Sequence, residues 1–367
     1  MSKPALIDFL TEEEWATLVT PIPEAGPCGD YLLYDDVYAQ IREARREDDP
    51  QLSQGAWKTE RKKADWPRVE SLCRDTLTRR SKDLQLAAWL AEAWIYQHGM
   101  AGFCAGLHLL LQLVDNYWAD LHPPLDQADP EQRLSAFVWM NEKFFLPLGR
   151  TYLSAPTIRD VAAYTFLDRD DAWKLDAGSR AEKEAEKAGL PTRNLVNNSI
   201  TFTPTAFYQQ LSILLKEAQE TLAALSARLD EATGRHAPTF GKLAKQLEGY
   251  QHRIQLVLTE RPQEEGGAEA DEGAAISNQE STDGEASTEP ETSLRIRSRN
   301  EAYQRLAEVA EYLLRTEPHS PTPYLIKRAI SWGNLSLGEL LLEIVNDERD
   351  LMAIYNLLGI PTRPPDG

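Results

Sequence analysis

The chain has 367 residues, 42% of them hydrophobic, and a formal net charge of −19. That length allows two or three modest domains, and so acidic a surface repels duplex DNA or RNA, so no nucleic-acid partner is expected. No run of eighteen apolar residues occurs that could insert into a membrane, and the opening MSKPALIDFLTEEEW lacks the basic n-region and unbroken apolar stretch of a signal peptide, so the expected location is the cytoplasm.

The first basic residues in number, Arg42, Arg45 and Arg46, then Arg61, Lys62 and Lys63, are interleaved with Glu43, Glu47 and Glu60 as on an ordinary solvated helix. In ADWPRVESLCRDTL the apolar positions Trp66, Val69, Leu72, Cys73 and Leu77 keep the helical period. Asp65 is placed to cap that helix, and Pro67 fits its first turn, where the missing N–H costs nothing. The next segment, SKDLQLAAWLAEAWIYQHG, spreads Leu84, Leu86, Trp89, Leu90, Trp94 and Ile95 over most of the circumference and meets a stop signal at Gly99, which predicts a buried central helix. Amphipathic runs follow from Gly102 to Trp118 and from Glu131 to Leu146. Residues Asp176 to Asn198, rich in Glu, Lys and Ala, read as an exposed helix plus loop.

From Pro204 to Ala232 the apolar residues Phe207, Leu211, Leu214, Ala218, Leu222, Leu225 and Leu229 step by threes and fours. After GRHAP, Leu243, Leu247, Tyr250, Ile254 and Val257 do the same. This pattern predicts a long antiparallel helical hairpin, its apolar seam used inside the domain or between subunits. The persistent 3.6-residue period argues an all-α fold, with the N-terminal helices stacked as solenoid-like pairs.

Residues 262–294 hold ten acidic residues, no basic ones and no aromatic, with Ile276 and Leu294 as the sole large aliphatics. Such a stretch buries no core and reads as a disordered, self-repelling linker, about 30 Å in root-mean-square span. Beyond it, Tyr303, Leu306, Ala310, Leu313 and Leu314 fall on one helix face. EPHSPTPYLIKRAISWG then sets Pro318, Pro321 and Pro323 around a turn, with Ser320 as the cap of the next helix. The expected domains are residues 1–155, a middle helical region 156–261, the linker 262–295, and a C-terminal helical module 296–367.

Nothing in the sequence specifies catalysis or a cofactor. Cys28, Cys73 and Cys104 are too scattered for a disulfide framework or a zinc site. The six histidines, His98, His108, His122, His236, His252 and His319, form no H-E-x-x-H motif. The acidic clusters Tyr34–Asp36, Glu47–Pro50 and Asp168–Asp171 read as caps and solvated loops. The last also matches, formally, the D-x-D-D acid motif of some helical cyclases.

Several blocks in order, PIPEAGPCGDYLLYDDVYAQIREARREDDPQLSQGAW, KKADWPRVESLCRDTLTRRSKDLQLAAWLAEAW, HGMAGFCAGLHLL, YWADLHPPLD and WMNEK, resemble the N-terminal domain of the ImpA/TssA family of bacterial type VI secretion systems. SRNEAYQRLAEVAEYLLRTEPHSPTPYLIKRAISWG is similar to the C-terminal module of the family's shorter members. The resemblance implies a non-enzymatic assembly factor whose C-terminal modules form a homo-oligomeric ring. The resemblance implies further that such a ring would dock on the baseplate and tail and meet tube, sheath and membrane-complex components. The chain ends soon after that module, without the large extension of longer members, which favours the baseplate over the distal sheath end. A generic helical adaptor or chaperone binding partner peptides is the alternative.

A module of roughly sixty residues gains only about 3 to 5 kcal/mol from its core, so self-association is the expected stabilising device. The candidate subunit interface is Tyr324, Leu325, Ile330, Trp332, Leu337, Leu340, Leu341 and Ile344. The candidate partner-binding residues in the N-terminal domain are Tyr34, Tyr38, Arg42, Trp57 and Trp66.

Overall fold

The structure is a computed structural model that describes residues 3–5, 7–23, 26–48, 61–126, 130–158, 161–175, 179–261, 299–317, 319–333 and 340. The expected linker, together with Trp57, Pro318, Leu337, Leu341 and Ile344, lies outside the described residues. The chain divides into two compact units, Met1–Ala155 with Ala162–Leu256, and Pro156–Val161 with Val257–Gly367. The fold is all-α, as the periodicity predicts.

The first unit opens with α1 (Glu12–Val19), started by a capping box between Thr11 and Glu14. The Thr11 N–H, and then Arg74 at 2.8 Å, hold the Glu14 carboxyl down at about 2. In α2 (Asp36–Arg45) the cap is Asp35, whose Oδ1 accepts the Val37 N–H at 2.9 Å. For α3 (Trp66–Arg79) the cap is the expected Asp65, accepting the Arg68 N–H at 3.1 Å, with Pro67 in the first turn.

The centre is α4 (Leu84–Tyr117), whose backbone breaks at Gly99 with φ 60° and ψ −132°. That left-handed residue, disfavoured for any side chain, turns the chain back on itself. Residues 84–98 and 100–117 are thus two arms of one tight hairpin. A Cβ on Gly102 would stand 2.0 Å from the Trp94 carbonyl oxygen, and one on Gly106 would stand 2.3 Å from the Ala91 Cβ. The arms approach this closely because both positions lack a side chain. Leu84, Leu86, Leu90, Trp94, Phe103, Leu107 and Leu110 are fully buried, so the first arm is the central buried helix expected from its composition.

The run expected to reach Leu146 breaks at Phe144 into α5 (Glu131–Lys143) and α6 (Phe145–Gly149). Next come α7 (Phe166–Lys174), α8 (Arg180–Lys187) and α9 (Arg193–Phe202). The segment read as an exposed helix plus loop is therefore two helices, and α9 buries Val196, Ser199 and Phe202.

The long hairpin is α10 (Thr205–Thr233), a 3-10 turn at Gly234–His236, and α11 (Gly241–Thr259). Its legs meet where Gln251 and Gln255 each donate to the Ser212 hydroxyl at 3.0 Å. Most of their apolar surface goes elsewhere in the same unit. The leg α10 runs parallel to the second arm of α4: the Cys104 thiol donates to the Leu214 carbonyl at 3.2 Å, His108 meets Glu217 at 2.7 Å, and Asp115 pairs with Arg228 at 2.8 Å. The leg α11 lies on α5 to α7, where Tyr250 stacks on Phe166 at 3.8 Å and Arg253 pairs with Asp170 at 2.8 Å. Of the two uses expected for that apolar seam, the internal one accounts for it.

In the second unit, α12 (Arg299–Thr316) and α13 (Thr322–Trp332) pack on each other. The Ser320 hydroxyl accepts the Thr322 N–H at 3.3 Å, as expected for a cap, and Pro323 sits buried in the first turn of α13. The contact is made by small residues: Ala307 and Ala310 are buried together with Ile330. A Cβ on Gly333 would come within 2.3 Å of the Tyr303 ring, so that glycine lets the end of α13 close on α12. The single face read from sequence is divided. Tyr303, Ala307, Ala310 and Leu314 share the inward side, and Leu306 lies on an adjacent stripe that is 39% exposed.

Candidate functional site

In the D-x-D-D stretch, Asp168 closes a capping box with Thr165, Asp170 pairs with Arg169 at 3.3 Å and Arg253 at 2.8 Å, and Asp171 pairs with Lys174 at 2.6 Å. Each carboxylate is committed to a cap or an ion pair, so none is a proton donor in a dry cavity. Replacing all three with Asn is expected to cost only about 1 to 2 kcal/mol, from a weakened cap and lost ion pairs. Helicity and oligomer size are expected to stay the same, which circular dichroism and light scattering check.

The fold brings His108 beside Glu217 at 2.7 Å and Thr221 at 3.3 Å, a grouping invisible in sequence because its members lie over a hundred positions apart. Both partners meet the same ring nitrogen, Nε2, so no hydroxyl–imidazole–carboxylate relay forms. A cavity of about 410 Å³ lies between α1 and α3, lined by Thr17, Glu70, Arg74 and Asp75 among others. Its charges are already paired, Arg74 with Glu14 and Glu70. Burial pushes the thiols of Cys28 and Cys104 up to about 11 and about 12, which leaves them unreactive. Among the described residues no group of His, Cys, Asp and Glu is arranged to hold a metal ion, and no helix is long and apolar enough to cross a membrane.

What remains are surfaces. On the first unit the candidate partner-binding residues separate into three environments. Tyr34 is 96% exposed, just ahead of α2. Tyr38 belongs to the core, edge-on to Trp89 at 5.1 Å, with the Arg42 guanidinium 5.9 Å from its ring. Trp66 is half-buried and stacked on Tyr96 at 4.0 Å. The end of α2 and the start of α3 are joined by the Asp65 N–H donating to the Ala44 carbonyl at 2.8 Å, which brings Arg42 and Trp66 to one end of this helix pair. Tyr34 lies at the other end, about 12 Å away along α2 by helix rise.

Beside this end sits Arg45, 5.2 Å from the Trp89 ring and 5.0 Å from the Trp139 ring, pairing with Glu92 at 2.7 Å. Burial pushes the Glu92 carboxyl up, and Arg45 opposes that shift. The surface also carries a cluster absent from the sequence reading: Val138, Phe145 and Leu146 of α5 and α6 are exposed. Its signal was present in FVWMNEKFFLPLG, which holds more apolar residues than one helix face can bury.

On the second unit, Tyr324 and Leu325 are 58% and 63% exposed. Trp332 is half-buried with the Arg328 guanidinium 4.9 Å above its ring, Ile330 is buried against α12, and Leu340 is half-buried. Of the candidate subunit interface among the described residues, Tyr324 and Leu325 are thus the accessible members and Ile330 is part of the unit's own small core.

The described residues form an all-α helical protein that presents aromatic and apolar surface. Residues 19–142, from the end of α1 almost to the end of α5, match the family model described as ImpA, N-terminal, type VI secretion system. Over 349 residues it is 25% identical to the type VI secretion system component TssA1 of Pseudomonas aeruginosa, covering 90% of this chain and 94% of that protein. The solved N-terminal domain, including the conserved ImpA_N region, of the TssA component from Burkholderia cenocepacia superimposes with a TM-score of 0.59 at 28% identity. It covers 71% of this chain and 98% of that one. The resemblance to the TssA/ImpA family read from the sequence holds in all of these comparisons.

Proposed function

We propose that the protein is a non-enzymatic structural and assembly component of a bacterial type VI secretion system, working in the cytoplasm. The observation that carries this reading is the near full-length match to TssA1, which extends through the C-terminal region as well as the ImpA N-terminal domain. In this reading residues 1–155 and 156–261 present surfaces to baseplate, tail-tube and sheath components. Residues 262–295 tether them to a module, 296–367, that associates into a homo-oligomeric ring and helps prime tube and sheath assembly. The commitment of Asp168, Asp170 and Asp171 to a cap and ion pairs supports the non-enzymatic role.

The test is size. The full chain and residues 296–367 are expected to form ring-sized assemblies by light scattering and electron microscopy, and residues 1–260 to stay small. Protease is expected to cut first between Arg261 and Arg295, where no core can form. A monomeric full chain, or assembly residing in residues 1–260, overturns the ring reading.

A further inference from the structure

We propose that one end of the first unit, centred on Arg45, is a docking site for an acidic segment of a partner protein that also carries aromatic side chains. This rests on the assembly reading above and gives one of its surfaces a partner chemistry. Arg45 closes α2, and its Nε and Nη2 both stand 2.7 Å from Oε2 of the buried Glu92, beside the Trp89 and Trp139 rings. A guanidinium has five N–H donors. Both of those on Nη1 and the second on Nη2 make no bond among the described residues, and the side chain is 19% exposed. Desolvation offsets most of what a buried ion pair gains, so stability alone is a weak reason to keep this one. What the pair does achieve is to hold a cation in one place with donors to spare.

The cations around Arg45 have no carboxylate of their own. Arg42 lies over Tyr38 on the same helix, Lys143 acts on the Glu92 carboxyl from the end of α5, and Arg150 bonds the Tyr96 hydroxyl. Trp66 stacks on that same Tyr96, and Lys63 and Arg68 stand beside Trp66 in the chain. All five cations are exposed, and none is paired with a carboxylate among the described residues. The neighbouring carboxylates are committed: Glu92 to Arg45, Glu43 to Lys62 and Arg46, Glu142 to Lys242, Asp65 to the cap of α3, and Asp48 to the Lys62 N–H. Glu47, exposed just after α2, is the one left over.

This end is therefore locally positive on a chain whose net charge is −19. Carboxylates of a partner match the cations, and its aromatic side chains match the half-buried rings of Trp66, Tyr96 and Trp139. Phe145 and Leu146, within three residues of Lys143 and so within about 11 Å along the backbone, add apolar surface at 55% and 45% exposure. Other occupants fit less well. A nucleic acid meets the repulsion of the whole acidic chain. The chain's own residues 262–294 carry ten acidic residues but no aromatic, so they answer the charges and not the rings. Of the partner-binding residues read from sequence, Arg42 and Trp66 belong to this end, while Arg45, Lys143 and Arg150 join them only through the fold.

The test is fluorescence anisotropy on the full-length chain with three labelled probes: a Glu- and Phe-rich peptide, its analogue with Gln in place of every Glu, and a single-stranded oligonucleotide of the same charge as the first. The acidic peptide is expected to bind roughly tenfold tighter than either of the others. Arg42→Glu and Lys143→Glu are each expected to raise its dissociation constant roughly fivefold or more, as an exposed attraction becomes a repulsion, and to weaken its salt dependence. Arg79→Glu, at the far end of α3 and about 20 Å from Trp66 by helix rise, is expected to change nothing. Circular dichroism checks the fold; if a reversal loses helicity, Arg42→Gln or Lys143→Gln replaces it, with a smaller shift of the same sign expected. No binding of the acidic peptide by wild type, equal losses in all three variants, or a Gln analogue or oligonucleotide bound as tightly overturns the proposal. Binding that appears only when the acidic residues of 262–294 are replaced by their amides makes the chain's own segment the occupant, and overturns it too. Sedimentation of the same samples keeps the two readings apart: ring-sized species that ignore the peptide overturn the docking site alone, and a monomer that binds it overturns the ring alone.

Discussion

Gly102→Ala is expected to destabilise the first unit by about 4 kcal/mol, beyond the usual range for added volume in a filled core, although the same change in an exposed helix stabilises by about 1 kcal/mol. The sign reverses because of what the new methyl meets. At Gly102 it would lie 2.0 Å from the Trp94 carbonyl oxygen and 2.4 Å from its carbonyl carbon, which are backbone atoms of the opposite arm. No rotamer change relieves such a contact, so the arms must separate. They cannot do so locally, because Gly106 holds the next turn against Ala91 and α10 is laid along the second arm through Leu214 and Glu217. The internal control is Gly249 in α11, where an added Cβ meets nothing within 4 Å. Gly249→Ala is expected to raise stability by about 0.5 to 1 kcal/mol. Urea titrations of the two variants against wild type separate the steric effect from helix propensity. Equal gains in both would mean that the arms do not touch as described.

The same pair of arms shows what periodicity conveys. Apolar residues on every side of residues 84–95 announce a buried helix, and Gly99 announces its end, because each is a local property of the chain. The turn-back that makes a hairpin follows from Gly99 in combination with Gly102 and Gly106. Glycines four apart put a bare strip on one face of the second arm, a signal that was legible but silent about its partner. The parallel course of α10 along that arm was not legible, since no local feature couples Cys104 to Leu214 or Asp115 to Arg228. The helix α7 escaped because it buries only Phe166 and Ala172, too few positions for a period, and because its aspartates drew attention as chemistry when they are caps and ion-pair partners. In the second unit the wheel grouped Leu306 with Ala310, whereas the close approach of two helices through alanines narrows the buried stripe and leaves leucine at its edge exposed. Small residues at a helix contact thus create outward apolar surface.

Lys82→Met is expected to cost about 3 kcal/mol, the scale of losing a buried charged donor to several acceptors. At 2 to 4 °C per kcal/mol for a domain of this size, the melting temperature is expected to fall by about 10 °C. Lys82 is fully buried, and its ammonium donates to the carbonyls of Leu18 at 2.8 Å, Leu77 at 2.7 Å and Thr17 at 3.3 Å. Those carbonyls end α1 and α3, where the last turns lack intrahelical donors and the helix dipoles are negative. One side chain therefore caps two helices at the point where the chain enters the central hairpin. Methionine fills similar volume but leaves three carbonyls in a dry site without a donor. Burial also pushes the Lys82 ammonium down to about 8, below the ordinary lysine range near 10.4. Between those values the unfolded chain binds more protons than the folded one, so this group's contribution to stability rises with pH, by at most about 1.4 kcal/mol per unit. The difference between wild type and Lys82→Met is accordingly expected to widen from pH 8 to pH 10, which denaturant titrations at the two pH values measure. A difference that stays constant would mean that the carbonyl cage holds the charge with no net shift. A variant as stable as wild type would mean that water, and not Lys82, serves the ends of α1 and α3.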